Sequence, residues 1–251
     1  MSHHRIILEN LVFAYPQQEK AIDGLSLQIH HGESVGIIGA NGAGKSTLLL
    51  LLTGVLFPQS GSIVVGDMHL TNKTLALVRK HLGLVFQDPD DQLFMPTVYD
   101  DVAFGPRNMG LSEADVREQT TAALERVGIL HLSARSAFHL SGGEKRAAAI
   151  ASVLSMHPDI LILDEPTASL DPRTRRRMIG LLRQFEHTRI ITSHDLDMIM
   201  ETCGRTVVLD HGRLAADGPT GEILRDRDLL ESAGLELPLS LQNDPDQSRG
   251  H

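Results

Sequence analysis

The chain has 251 residues, enough for one sizeable domain that buries its core without disulfides or metal staples. Acidic residues outnumber basic ones, 32 to 23, and the formal net charge of −9 argues against DNA, RNA or an anionic lipid surface as the main partner. Cys203 is the single cysteine, which excludes an intrachain disulfide and suits a reducing cytosol.

No apolar signal core follows Met1-Ser2-His3-His4-Arg5. The longest apolar stretch, Leu48 to Phe57, is interrupted by Thr53 and Gly54 and is about half of the roughly 20 residues a spanning helix needs. The chain is therefore expected not to enter a bilayer by itself. The histidines, including the pairs His3-His4 and His30-His31, read as exposed turn and terminal residues, because no His, Cys or carboxylate cluster has metal-site spacing.

Residues 5–38 read as short strands: Ile6, Leu8, Leu11 and Phe13 lie on apolar runs, and Leu25, Leu27 and Ile29 alternate with polar neighbours. Ser34 to Ile38 is a continuous apolar strand ending in a glycine-rich loop, and Thr47 to Thr53 behaves as a helix. A strand over 61–65 follows, with Gly66-Asp67 as its turn. From about 96 to 156 the pattern is helical, with helices around 112–127 and 143–156, the first started by Ser112 and Asp115. Ile160 to Leu163 and Arg189 to Thr192 are further strands, and Val207 to Leu209 with His211-Gly212-Arg213 resembles a hairpin. After Leu235 periodicity ends; residues 1–235 form the domain, a helical part over about 88–156 is inserted in it, and 236–251 is expected to be a loosely ordered tail. Strands alternating with helices mean an α/β sheet with a helical insertion.

Gly39-Ala40-Asn41-Gly42-Ala43-Gly44-Lys45-Ser46 matches the phosphate-loop pattern G-x-x-x-x-G-K-[ST] between a strand and a helix. Glycines let backbone N–H groups surround phosphates, and the helix start adds partial positive charge. Lys45 is suited to the β- and γ-phosphates, the Ser46 hydroxyl to Mg²⁺, and Thr47 completes the candidate nucleotide-binding set. Ile160 to Leu163 then runs into Asp164, suited to Mg²⁺, and Glu165, suited to polarising the attacking water. Taken alone, four apolar residues before Asp-Glu read equally as a strand entering a turn. Leu140-Ser141-Gly142-Gly143-Glu144 is a second anion-binding helix start, so two subunits could share a site, one supplying the loop and the other capping the γ-phosphate.

In their order, Gly39–Ser46, Gln87, Leu140–Glu144, Leu161–Glu165, Ser169-Leu170-Asp171 and His194 make nearly the whole chain similar to the ATP-binding cassette family. The resemblance implies a P-loop NTPase (RecA-like) core with an N-terminal antiparallel β subdomain and a helical subdomain. It implies ATP and Mg²⁺ as cofactors and a head-to-tail dimer with itself or a paralogue. Tyr15 would stack on adenine; Gln87 would touch Mg²⁺ and the water and report to a membrane partner. Ser141, Gly142 and Gly143 would bind ATP held by the opposite subunit. Asp171 would belong to the loop linking the two sites, and His194 would bind the γ-phosphate. As residues by themselves, Tyr15 is also compatible with a strand-end surface aromatic and His194 with a helix N-cap network.

The stretch Val85-Phe86-Gln87-Asp88-Pro89-Asp90-Asp91-Gln92-Leu93-Phe94, with Thr97-Val98 and Asp100 to Pro106, resembles the ATPases of energy-coupling-factor importers. Ser193 to Asp197 and Leu209 to Arg213 resemble the cobalt and nickel members. Asp88 to Asp91 is also an ordinary charged turn capping a helix, and both readings can hold. The branch implies an integral membrane coupling protein, a substrate-binding membrane subunit and a peripheral position on the cytoplasmic face of the membrane. A soluble cassette acting on ribosomes or DNA, a cassette of another transporter, and a P-loop kinase are the rivals. One phosphate loop, no heptad run, negative charge and the Leu140–Glu144 signature speak against the first and third.

Overall fold

A computed structural model describes residues 5–242; His3, His4, Asn243, Asp244 and Pro245 lie outside the described residues. The chain folds as two compact units, one holding the residues up to Asn72 and those from Ile190 onwards, the other Lys73 to Arg189.

In the first unit, β1 (Ile6–Ala14) and β2 (Lys20–Ile29) pair antiparallel, with Ile6, Leu8, Ile22 and Ile29 buried. The alternation of these residues is that of a sheet with one face on the core. β3 (Ser34–Ile38) is buried from Val35 to Ile38, which reads accordingly as an unbroken apolar run. α1 (Lys45–Leu52) follows the glycine-rich loop; Leu48, Leu49, Leu51 and Leu52 are buried, so the longest apolar stretch supplies a core helix. No described helix is long and apolar enough to cross a membrane. β4 (Ser60–Val65) and β5 (Met68–His69) complete a sheet in the order β2-β1-β4-β5.

The second unit opens with α2 (Leu75–Val78) and β6 (Leu82–Val85). α3 (Val98–Asn108), α4 (Glu113–Val127) and α5 (Gly142–Leu154) pack on one another. Ser112 caps α4 by accepting from the Asp115 amide, as the spacing of the two residues predicts. α3 runs through Pro106, which has no N–H for the carbonyl of Val102; the Ser155 hydroxyl donates to that carbonyl at 2.8 Å, and the helix continues. β7 (Ile160–Asp164) pairs with β6 in parallel, Val85 opposite Leu163. α6 (Pro172–Arg183) buries Met178, Ile179 and Leu182, a narrow stripe that its many arginines obscure in the sequence.

β8 (Thr188–Thr192) leads the chain back into the first unit. There α7 (Leu196–Thr202), β9 (Arg205–Asp210), β10 (Arg213–Pro219), α8 (Thr220–Ile223), α9 (Arg227–Ser232) and α10 (Leu239–Gln242) follow. The strand order is β10-β9-β3-β8, with β9 and β10 forming the expected hairpin. Arg205 joins the two sheets of this unit: it holds both Asp217 oxygens at 2.7 Å and reaches Gln28 O and Glu33 at 2.9 Å. Residues 237–242 are docked rather than loose: Leu237 and Leu241 are buried, and Asp197 on α7 accepts from the amides of Leu239 and Ser240. Two leucines at i and i+4 are too few to signal an element by themselves, and the cap comes from a residue some forty positions upstream.

Candidate active site

In the first unit the glycine-rich loop joins buried β3 to α1. A Cβ on Gly44, whose φ is +102°, would lie 2.4 Å from the carbonyl of Ala21, and one on Gly39 would lie 2.4 Å from the carbonyl of Leu209. Only glycine allows so close a backbone approach. No side chain caps α1 and its first turn carries no acid, so its leading N–H groups face the loop with their partial positive charge. Backbone donors and a lysine meeting in this way form a cradle that fits a polyphosphate.

Lys45 is buried, and its Nζ donates to the carbonyls of Gly39 at 2.7 Å and Ala40 at 3.1 Å; His194 Nε2 lies 3.3 Å away. Thus the structure brings together two residues 149 positions apart that the family resemblance assigns to one phosphate. The helix N-cap role falls to Asp195, which accepts from the Met198 amide at 3.0 Å, leaving the His194 ring to face the lysine. Ser46 is exposed at the mouth of the loop, with Asn41 and Gly42. Tyr15 stands beside the same helix, its hydroxyl 3.3 Å from Thr47 Oγ1 and its ring edge-on to Phe13.

In the second unit the parallel register of β6 and β7 carries Gln87 and Asp164 to the same end of the strand pair. Glu165 follows, buried, with φ at +48°, and Ser169 has φ at +60°. Left-handed backbone at non-glycine residues is strained and gathers at functional sites. The backbone of Phe86, just before Gln87, is gripped on both sides: its N–H donates to Gln92 Oε1 at 3.1 Å and its carbonyl accepts from Arg146 Nη1 at 2.8 Å. Gln92 also donates to Ala149 O at 2.7 Å and to the Ser152 hydroxyl at 2.9 Å, and Lys145 pairs with Asp90 at 2.6 Å. Asp88 does cap the turn after it, accepting from the Asp90 amide at 2.9 Å. Gln92 and Arg146 are not legible as site residues, since their importance lies in contacts about 60 positions away in sequence.

Ser141 and Glu144 form a capping box at the start of α5, and hydrogen bonds from Ser141 hold the Glu144 carboxyl below its usual range. Asp171 caps α6 through the amides of Arg173 and Thr174 and the Thr174 hydroxyl, which lower its pKa likewise. A Cβ on Gly143 would lie 2.7 Å from Thr174 Cγ2, whereas one on Gly142 meets nothing within 4 Å. Ser141, Gly142, Gly143, Ser169, Asp171 and Arg173 line a concavity of about 1010 Å³. Among the described residues no group of three His, Cys, Asp or Glu side chains could hold a metal by itself. The Ser46 hydroxyl and the Asp164 carboxylate are oxygen donors of the hard kind that Mg²⁺ takes beside phosphate and water.

The geometry agrees with comparison to known proteins. The ABC transporter family model matches residues 22–168. A Geobacter sulfurreducens protein, whose own description as an ABC transporter ATP-binding protein is an inference, is 58% identical over 245 residues, 98% of each chain. The energy-coupling factor transporter ATP-binding protein of Methanothermobacter thermautotrophicus is 44% identical over 238 residues, 93% of this chain and 76% of that one. Among solved structures, cbiO1 of Clostridium perfringens, part of the ABC transporter complex cbiONQ, superposes with a TM-score of 0.81 at 38% identity, covering 92% and 94% of the two chains. The chain belongs to the ABC transporter family: it has the ABC ATPase fold and is the ATP-binding, ATP-hydrolysing motor domain of a transporter.

Proposed function

We propose that this chain is the ATPase of an energy-coupling-factor-type importer, with cobalt or nickel ions as cargo. Supporting it are the likeness of Val85 to Pro106 to that branch, the energy-coupling-factor relative and the cbiO1 neighbour. The ion touches other subunits, so the histidines of this chain need no part in recognising it.

In this reading Gly39, Ala40, Asn41, Gly42, Ala43, Gly44, Lys45, Ser46 and Thr47 hold the ATP phosphates, and Tyr15 stacks on adenine. Mg²⁺ would be held by Ser46, Asp164 and Gln87, neutralising phosphate charge when bound. Glu165 orients and deprotonates the attacking water, and His194 with Lys45 holds the γ-phosphate. A second subunit, identical or paralogous, sits head-to-tail and contributes Ser141, Gly142, Gly143 and Asp171 to the opposite nucleotide.

The observation that carries the transport reading is the loop from Phe86 to Gln92, which includes Gln87 near its start and borders an apolar groove at Gln92. Phe94 and Phe104 rise from that groove edge-to-face at 5.0 Å, 64% and 40% exposed, with Met109 beside them. The groove has a volume of about 560 Å³ and is walled by Leu82, Leu84 and Met156. Exposed apolar area of this kind fits a helix from a protein partner. On this reading the chain is peripheral to the cytoplasmic face of the membrane and docks there on the coupling protein.

Tagging the Glu165→Gln chain in its native cell, solubilising membranes gently and identifying what co-purifies tests the reading. A polytopic coupling protein with a small membrane-embedded subunit supports it, and metal analysis then names the cargo. A conventional permease pair moves the chain to another importer branch, and ribosomes or DNA factors alone refute transport by this branch.

A further inference from the structure

We infer that the arginine-bearing face of α6, Arg173 and Arg177 foremost, is a docking surface for a second copy of this chain carrying ATP, and that its charge draws the two copies together. The inference rests on the head-to-tail dimer proposed above and adds to it the cations that attract the nucleotide-loaded partner.

The sequence of α6 is at odds with helix electrostatics. The positive end of a helix dipole favours acidic side chains in the first turn and disfavours cations there. After the Asp171 cap, α6 has no acid in its first turn; instead Arg173, Arg175, Arg176 and Arg177 crowd its first six residues. Arg173 also stands three and four positions before Arg176 and Arg177, spacings at which like charges meet on a helix surface and repel. A segment that breaks a local rule with no gain in its own fold marks a site that serves something else.

The placement of the face supplies the gain. Arg173, Thr174, Arg177 and Gln184 recur on one side of α6 and line the concavity that also holds Ser141, Gly142 and Gly143. Two contacts fix the packing of that side: Thr174 lies against Gly143, and Arg177 Nη2 lies 2.9 Å from where a Cβ on Gly128 would stand. Arg126 lines the same concavity, its Nη2 donating to Gln184 O at 3.3 Å and its guanidinium 6.0 Å from the centre of the Phe185 ring. Among the described residues none of Arg126, Arg173 and Arg177 pairs with a carboxylate. The two acids of the wall are already engaged, Glu144 with Ser141 and Asp171 with the Thr174 hydroxyl at 2.6 Å. Arg126 and Arg177, beside the C-cap Gly128 of α4, also suit the negative end of that helix. Arg173, at the positive end of its own helix, has no such use.

Charge then selects the occupant. The wall is continuous with the residues proposed to meet the second subunit's nucleotide, so the anion brought to it is a polyphosphate. Each copy carries a formal −9 and brings a further polyanion in ATP, so closure presses like charges together. Guanidiniums facing the loaded partner offset that repulsion where the copies meet.

Arg173→Gln/Arg177→Gln and the charge-keeping Arg173→Lys/Arg177→Lys are each built into the Glu165→Gln chain. ATP-dependent dimerisation is followed by sedimentation over a concentration series, alongside nucleotide-free melting and the affinity of dilute monomer for labelled nucleotide. We expect the glutamine pair to weaken the dimer about tenfold or more while monomer affinity stays within about threefold, and the lysine pair to recover most of the loss. Arg173→Gln alone should melt with the parent or about 1–3 °C above it, because it removes a cation from a helix start. Undiminished dimerisation by the glutamine pair overturns the inference alone. Equal loss in the lysine and glutamine pairs also overturns it, making shape rather than charge decisive, as does a loss that runs in parallel with melting temperature, which would reduce the arginines to a structural role. A Glu165→Gln chain that stays monomeric in saturating ATP refutes the dimer reading itself, and the inference with it.

Discussion

Nζ of Lys45 lies 3.3 Å from Nε2 of His194 while donating to the carbonyls of Gly39 and Ala40, so one ammonium organises both the loop and the histidine. In the proposed role Lys45 makes charge-assisted contacts to the phosphates, so Lys45→Ala is expected to weaken nucleotide binding roughly 10- to 100-fold. His194→Ala leaves the loop and its lysine in place, so binding of labelled nucleotide should stay near the parent while turnover falls. Equal loss of affinity in both variants would contradict this division of labour.

Glu165→Gln keeps the shape of the side chain and removes its basicity. ATP binding should persist, hydrolysis should fall roughly 10²- to 10⁴-fold, and the protein should elute as a dimer in ATP. Gel filtration with light scattering reads the result; a monomer under saturating ATP would contradict the sandwich arrangement.

Gly142 and Gly143 make opposite predictions. A methyl group on Gly143 collides with Thr174 at 2.7 Å, so Gly143→Ala should cost about 1–3 kcal/mol, seen as a drop in melting temperature. A methyl group on Gly142 meets nothing in this chain, so Gly142→Ala should melt with the parent. If Gly142 is there to let a second subunit's nucleotide approach, that variant nevertheless loses ATP-driven dimerisation and turnover.

Asp101 supplies a pH test. Its Oδ1 accepts from the amides of Phe94 and Met95 at 2.9 Å, while Oδ2 is buried without a partner among the described residues. Burial raises its pKa above the ordinary carboxylate value, with repulsion from Asp100 adding to the effect and the two amides opposing it. A raised pKa in the folded chain means a contribution to stability that is present at low pH and lost as pH rises through the folded value. Asp101→Asn, which cannot ionise, should therefore gain on the parent as pH rises from about 4 towards 8, by roughly 2 °C in melting temperature. A constant difference across that range would show that Asp101 does not titrate in it.

Much of the fold is legible because its signals are local. Ser34 to Ile38 and Ile160 to Leu163 announce buried strands by unbroken apolar runs, and Ser112 with Asp115 announces a helix start. The phosphate loop is readable for the same reason, since every donor in it is contiguous. What escapes depends on distant partners. Pro106 looks like a helix end until Ser155 supplies the missing donor, and α10 has no pattern until Asp197 caps it. Arg146 looks like one more surface charge until α5 is known to turn that face inward. Each of these is a contact between residues tens of positions apart, which neither periodicity nor composition encodes.

If Glu165 polarises the attacking water as proposed, its backbone marks where this chain trades durability for chemistry. At φ +48° a residue with a Cβ sits at a cost of about 1 kcal/mol or more, which glycine avoids. Directed evolution for heat resistance alone, with no demand for hydrolysis, should therefore drift towards glycine at 165. The survivors would be hardier proteins with nothing left to drive.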